Sequence, residues 1–346
     1  MKKIFLLTAA ASLLLFFACS SNNESPATAE NAGSSENNGS LTGAIDYSQT
    51  VIPEFSADSA YAFVEKQLSF GNRIPGSKGW EKCAAWLTAQ MRRFCDTVIV
   101  QDFKAVLWNS DAVPGKNIIA QINPKAGQRI LLAAHWDSRQ WADHDPSDAN
   151  HQKPVPGAND GASGAALLME MARIMSSMPP SVGVDFIFFD VEDQGAPEGT
   201  VIRDQNDWCL GSQHWANNRH MPSYVSYIYG ILFDMVGTHN PRFTKEGISR
   251  YFAPGLTDKL WNVAASLGYD QIFVNEATPE ILDDHYYVNN IAHIPTIDIV
   301  QNNSNTSFFE HWHTVSDDIR SINKETLGIV ATVTLKTLYT DFPSEK

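Results

Sequence analysis

The chain has 346 residues, 43% hydrophobic and 18% charged, with 25 Lys and Arg against 39 Asp and Glu for a formal net charge of −14. That composition excludes a disordered or fibrous chain and is enough to bury a core in one large domain or two modest ones. So acidic a surface repels phosphate backbones and anionic lipid, which excludes nucleic-acid binding as the main role. After residue 20 no apolar run approaches the roughly 20 residues of a membrane helix.

Taken in chain order, Lys2 and Lys3 precede a short apolar run that ends at Ala18 and Cys19. A positive segment, an apolar segment and a small residue before the cut describe a secretory signal. With Cys19 next to Ala18 the site has the form of a bacterial lipoprotein box. Residues 1–19 are therefore expected to be a signal, and the mature chain to begin at a lipidated Cys19. The protein is expected in the cell envelope, facing the periplasm and touching membrane only through that anchor. Residues 20–45 carry hardly any large apolar side chain and read as a flexible tether. Residues 46–346 are expected to fold as one catalytic domain.

Within that domain, residues 77–94 have helical spacing and carry Cys83 almost to Cys95. Twelve helical residues span about 18 Å, beyond disulfide reach, so free structural thiols and no cysteine catalysis are expected. Residues 96–105, 116–124 and 129–137 are strand candidates bounded by turn residues. Residues 163–178 have helical periodicity and stop at Pro179 and Pro180. Residues 182–191 and 227–236 are nearly continuous apolar runs, as strands buried on both faces should be, and residues 326–342 read as a closing helix. The alternation predicts an α/β fold: a single domain with a twisted, mainly parallel central sheet and helices on both faces.

In such sheets sites form beyond the carboxyl ends of the strands. The strand candidates end in His135 and Asp137, in Asp190, Glu192 and Asp193, and in Asp234. Asp160 stands at a helix start, where the dipole favours an anion. Asp283, Asp284 and His285 follow, then His311, His313, Asp317 and Asp318. Carboxylates and imidazoles on one rim repel or desolvate one another unless a cation is present. One His with two or three carboxylates suits a catalytic Zn²⁺ with an open position. Singly, each strand-end Asp reads as a turn or helix cap. The acidic stretch 141–150 reads as a solvated loop, with calcium binding as its alternative. His144, His151, His214, His220, His239 and His293 read as surface or packing residues.

Together and in this order, AHWDSR (134–139), PGANDGASGAALLMEMAR (156–173), FIFFDVED (186–193), ILFDMVG (231–237), ILDDH (281–285) and HWHTVSDD (311–318) are specific. They resemble the zinc aminopeptidase-like superfamily, the M28-type metallopeptidases, and within it the animal-type glutaminyl cyclases (glutaminyl-peptide cyclotransferases). The second likeness rests on HWDSR, DMVGTHNPRF, LDDH and Trp312 directly before His313. The resemblance implies one zinc per chain, held by Asp160, Asp193 and His313. It makes Glu192 the general base and acid, Asp234 and Asp283 two further carboxylates of the site, and Trp312 and Trp208 walls beside the substrate. His135 and Asp298 would support them. It also implies the substrate: peptides and exported proteins with N-terminal Gln, closed to pyroglutamate with release of ammonia. The acidic surface gives no reason to expect a dimer, so a monomer is expected.

Departures from the cyclase pattern accompany it. Asp193 stands where animal cyclases carry Glu, Ala134 where they carry a disulfide cysteine, and Asp298 where they carry a supporting histidine. NDGASG reads more like the aminopeptidases. His135, Asp160, Asp193, Asp234 and His313 would equally furnish every ligand of a two-zinc aminopeptidase with Glu192 activating the water, so ligand identity leaves both chemistries open.

Overall fold

The apolar runs pair into a six-stranded sheet in a computed structural model of the chain, which describes residues 46–201, 206–302 and 308–345. The expected signal with Cys19 and the tether lie outside the described residues. Residues Ile45–Lys346 form one compact unit.

Two helices open the fold, α1 (Ala57–Leu68) and α2 (Lys78–Phe94), each started by a serine whose hydroxyl accepts from a backbone N–H three residues on. The strands β1 (Thr97–Val106) and β2 (Ala112–Ile122) make an antiparallel hairpin. Next come β3 (Gln128–His135), α3 (Ala162–Met175), β4 (Gly183–Phe189), α4 (Leu210–Asn217) and β5 (Ser226–Asp234). A short pair, β6 (Phe243–Lys245) and β7 (Phe273–Ala277), brackets α5 (Gly247–Phe252) and α6 (Pro254–Ser266). The chain closes with α7 (Asp284–Asn290), β8 (Thr296–Val300) and α8 (Lys324–Asp341).

The sheet order is β1-β2-β4-β3-β5-β8. The pairs β3/β4, β3/β5 and β5/β8 are parallel, while β1/β2 and β2/β4 are antiparallel. Strand alternation divides the core in two. Ile130, Leu132, Val184, Phe186, Phe188, Ile231 and Phe233 face the layer that holds α1, α2, α3, α6 and α8. Leu131, Ala133, Ile187, Phe189 and Leu232 face Trp215 of α4 and Val288 of α7. Both faces are covered, so these strands carry apolar residues at most positions, interrupted by buried Asp185 in β4 and Asp298 in β8. Each such side chain contributes about 1.5–3 kcal/mol of burial. The β6/β7 pair was not read from the sequence, because three- and five-residue strands leave too few alternations to register.

Because β3, β4 and β5 run parallel, His135, the 190–193 turn and Asp234 emerge at the same edge of the sheet. Cys83, Cys95 and Cys209 are all free.

Candidate active site

Four backbone devices aim the polar side chains. Beyond β4 the chain turns sharply at Val191, whose φ of 55° is left-handed and costly for a β-branched residue. Asp137 fixes the turn: its carboxylate accepts from the backbone N–H of Glu192 at 3.1 Å and of Asp193 at 3.3 Å, and from Gln194 Nε2 at 3.0 Å. Asp160 is held by Asp317, whose carboxylate oxygens accept from the N–H groups of Asn159 at 2.9 Å and Asp160 at 3.0 Å. Gly161 then enters α3 at φ 90°, where a Cβ would lie 2.5 Å from the Asp137 carbonyl oxygen. His313 has a left-handed φ of 54°, and its Nδ1 faces Asp143 at 3.5 Å.

These devices bring the expected residues together. His313 Nε2 lies 3.1 Å from Asp193 Oδ1 and 3.7 Å from Asp160 Oδ2. Asp160 also faces the other way, with Oδ1 3.0 Å from His135 Nε2, which in turn lies 3.2 Å from Asp234 Oδ1. Two triads thus share Asp160: Asp160–Asp193–His313 and His135–Asp160–Asp234, each buried with ligand atoms within 4.8 Å of one another. A third group, Glu192–Cys209–Asp283, meets the same distance limit. Asp283, His285 and Asp298 form a further buried group whose ligand atoms lie within 4.8 Å of one another, with Asp298 Oδ2 3.8 Å from His285 Nδ1.

So many acids in one place leave their mark on ionisation. Burial raises Glu192 well above the ordinary carboxylate range; Asp283, Asp193 and Asp284 push the same way, against the pull of His135. Burial, with Asp283 and Asp160, pushes Asp234 up to about 7. His135 stays cationic well above its usual range: burial opposes the charge, but Asp137, Asp160 and Asp234 outweigh it. His313 is likewise raised, through Asp193 and Asp143 against burial.

Zinc fits this donor set. Asp160 Oδ2 and both oxygens of buried Asp193 accept no well-aligned hydrogen bond, so their negative charge calls for a cation. Two carboxylates and an imidazole whose other nitrogen faces a carboxylate form a catalytic-zinc ligand pattern with its supporting acid. The His135 triad offers the same donor types, so the two-metal alternative also finds its ligands gathered.

A cavity of about 320 Å³ opens over the acids, lined by Glu192, Asp234, Asp283, Trp208, Trp312 and Phe308 among others. Trp312 stacks on His313 at 3.8 Å between ring centroids, and Trp208 lies parallel to His313 at 6.1 Å.

One reading needs correction in part. Pro146, Ser147, Asp148 and Ala149 are exposed, as in a solvated loop, but Asp143 and Asp145 are largely buried, and Asp143 forms a two-toothed pair with Arg139 (Nε 2.7 Å, Nη2 2.6 Å) against His313. His144, read as a surface or packing residue, is exposed and packs 4.3 Å from the Trp312 ring, where it also lines the cavity. Arg139 was missed altogether. It is 1% exposed, reaches the Asp193 carbonyl at 3.2 Å and stands over the Trp208 ring at 4.7 Å. An Arg four residues before an Asp was the available signal, but on a polar stretch that spacing reads as an exposed helix pair.

Comparison with known proteins agrees. The sequence pattern of Peptidase family M28 matches residues 117–338. A glutaminyl cyclase of Bacteroides thetaiotaomicron, solved with N-acetylhistamine bound, is 41% identical, with 84% of this chain and 99% of that one covered and a TM-score of 0.81. A Zn-dependent exopeptidase from Parabacteroides distasonis is 40% identical with the same coverage and TM-score. A glutaminyl cyclase of Tannerella forsythia is 41% identical, covering 83% of this chain and 99% of that one, with a TM-score of 0.80. The chain spans less than half the length of the first curated relatives it matches, 46% and 37%. Fold and donor set together are those of an α/β protein with a buried site suited to zinc. The chain belongs to Peptidase family M28.

Proposed function

We propose that the chain is a glutaminyl-peptide cyclotransferase, closing the N-terminal glutamine of peptides and proteins to pyroglutamate with release of ammonia. The observation that carries this reading is Asp283. It belongs to neither Asp160 triad, yet it shares a cluster with Glu192 at the cavity floor. A two-metal aminopeptidase needs one glutamate beside its ligands. A further carboxylate within 4.8 Å of that glutamate suits a reaction in which a proton leaves one nitrogen and reaches another. The solved cyclases among the relatives support the reading.

Asp160, Asp193 and His313 would hold one zinc per chain. When bound, it supplies Lewis-acid polarisation of an amide oxygen and charge compensation for the ligand acids. The remaining work falls to the protein. Trp312, Trp208 and Phe308 wall the cavity and favour the folded-back conformer in which the α-amine faces the γ-carboxamide carbon, a proximity gain. The α-amine, of pKa about 7.7–8.0, attacks only when neutral. Glu192 takes its proton as the new C–N bond forms and returns it to the amide nitrogen as the old bond breaks, giving ammonia. Burial and the charge of Asp283 raise both Glu192 and Asp234, so each holds a proton more firmly than an ordinary carboxylate. Asp137 holds Glu192 in place through its backbone N–H.

We further propose that Cys19 is lipidated and that the enzyme acts in the cell envelope on exported proteins whose processing exposes Gln, as a monomer without nucleic-acid partners. The test of the main reading is mass analysis of a Gln-initiated peptide after incubation. Loss of one ammonia supports the cyclase. Release of the first residue, with two tightly bound zinc ions per chain, would establish the aminopeptidase. N-acetylhistamine is expected to compete with the peptide.

A further inference from the structure

The Glu192 carboxylate stands at a cavity edge, 13% exposed, and a general base must present one defined oxygen to its substrate. Among the described residues one hydrogen-bond donor reaches that carboxylate: the Cys209 thiol, with Sγ 3.1 Å from Oε1. The other oxygen, Oε2, is left on the side of His135, whose Nδ1 is 3.9 Å away. The backbone repeats the clamp, because Cys209 N–H donates to the Glu192 carbonyl at 2.9 Å and Leu210 N–H to the Val191 carbonyl at 3.0 Å. Both ends are costly: Val191 at φ 55° and Cys209 at φ 56° occupy the left-handed region, which non-glycine residues rarely adopt. Cys209 is fully buried at the start of α4. Burial, with Glu192, Asp284 and Asp283 nearby, raises its thiol well above the usual range, so it remains a protonated donor.

We propose that Cys209 is a positioning residue: its thiol pins Glu192 Oε1 and thereby leaves Oε2 as the oxygen that exchanges protons with substrate. A thiol is a weak donor. It orients the carboxylate without drawing off the charge that makes it a base, as a hydroxyl or amide would more strongly. The inference rests on Glu192 having the role given above, and the two can fail separately.

The experiment compares wild type, Cys209→Ala and Cys209→Ser on a Gln-initiated peptide, with zinc content measured for each. Cys209→Ala keeps the Cβ and the backbone preference and removes only the sulfur. Its kcat is expected to fall about five- to tenfold with KM and zinc content unchanged, and Cys209→Ser is expected to recover most of the loss. A readout independent of turnover is the infrared S–H stretch of metal-free protein. The difference between wild type and Cys209→Ala should show a lowered, hydrogen-bonded band, and Glu192→Gln should raise its frequency. Wild-type kcat in Cys209→Ala, a serine variant as slow as the alanine one, or a Cys209 S–H band unmoved by Glu192→Gln would overturn the proposal. If wild type instead releases the first residue, the cyclase reading fails. The three-way comparison then still decides the role of Cys209, because Glu192 would be the base there too.

Discussion

Replacing Asp143 by alanine probes the part of the site that rests wholly on tertiary contact. Asp143 is 7% exposed at its side chain and Arg139 1%, so the substitution strands a buried guanidinium. Removing one partner of a buried pair costs roughly 3–5 kcal/mol. Here Arg139 keeps the carbonyls of Asp193, Gly195 and Ala196 at 3.2–3.4 Å and the Asp193 carboxylate at 3.5 Å, which places the loss near about 3 kcal/mol, the lower end. A second cost falls on the metal site. Asp143 faces His313 Nδ1, and losing such an orienting carboxylate lowers zinc affinity roughly 10- to 100-fold, or about 1.4–2.8 kcal/mol. Zinc affinity is measured by competition against a chelator of known strength, and stability by urea denaturation of metal-free protein. Asp143→Asn should recover part of both, since its amide oxygen still accepts from Arg139. Unchanged zinc affinity together with unchanged stability in Asp143→Ala would refute the argument that this pair supports His313.

Three further outcomes are expected. Glu192→Gln should retain zinc and fold while turnover drops about 10²- to 10⁴-fold; near-normal cyclisation removes Glu192 from its role. Trp312→Ala deletes one apolar wall, about half the burial of a large side chain or roughly 1 kcal/mol, so KM should rise about fivefold with kcat little changed; an unchanged KM makes the ring purely structural. For pH, Asp234 has a folded pKa of about 7 against roughly 3.9 unfolded, and Glu192, His135 and His313 are also raised. The folded state therefore binds more protons than the unfolded one, and the stability these groups confer is lost as pH rises towards and through 7. Metal-free protein should melt at a higher temperature at pH 5 than at pH 7.5, with zinc removing most of the difference. A melting temperature that climbs with pH in the absence of metal contradicts this.

Local signals wrote much of the fold and the outline of the site into the sequence. Continuous apolar runs at 182–191 and 227–236 became strands buried on both faces, and Ser56 and Ser77 became helix caps. Parallel strands bring their ends to one edge, so His135, Glu192, Asp193 and Asp234 were legible as a set. Asp160, Asp283 and His313 were legible through the resemblance. The supporting contacts were not. Asp143 and Cys209 owe their roles to His313 and Glu192, which are 170 and 17 residues away along the chain. A polar loop looks the same in sequence whether its acid meets water or a buried arginine, and a lone cysteine looks the same whether it packs or donates. Periodicity and chain direction are properties of a segment by itself, and the sequence alone determined them. Which side chain is desolvated, and against what, depends on the path of a second segment, and only the tertiary structure decided it.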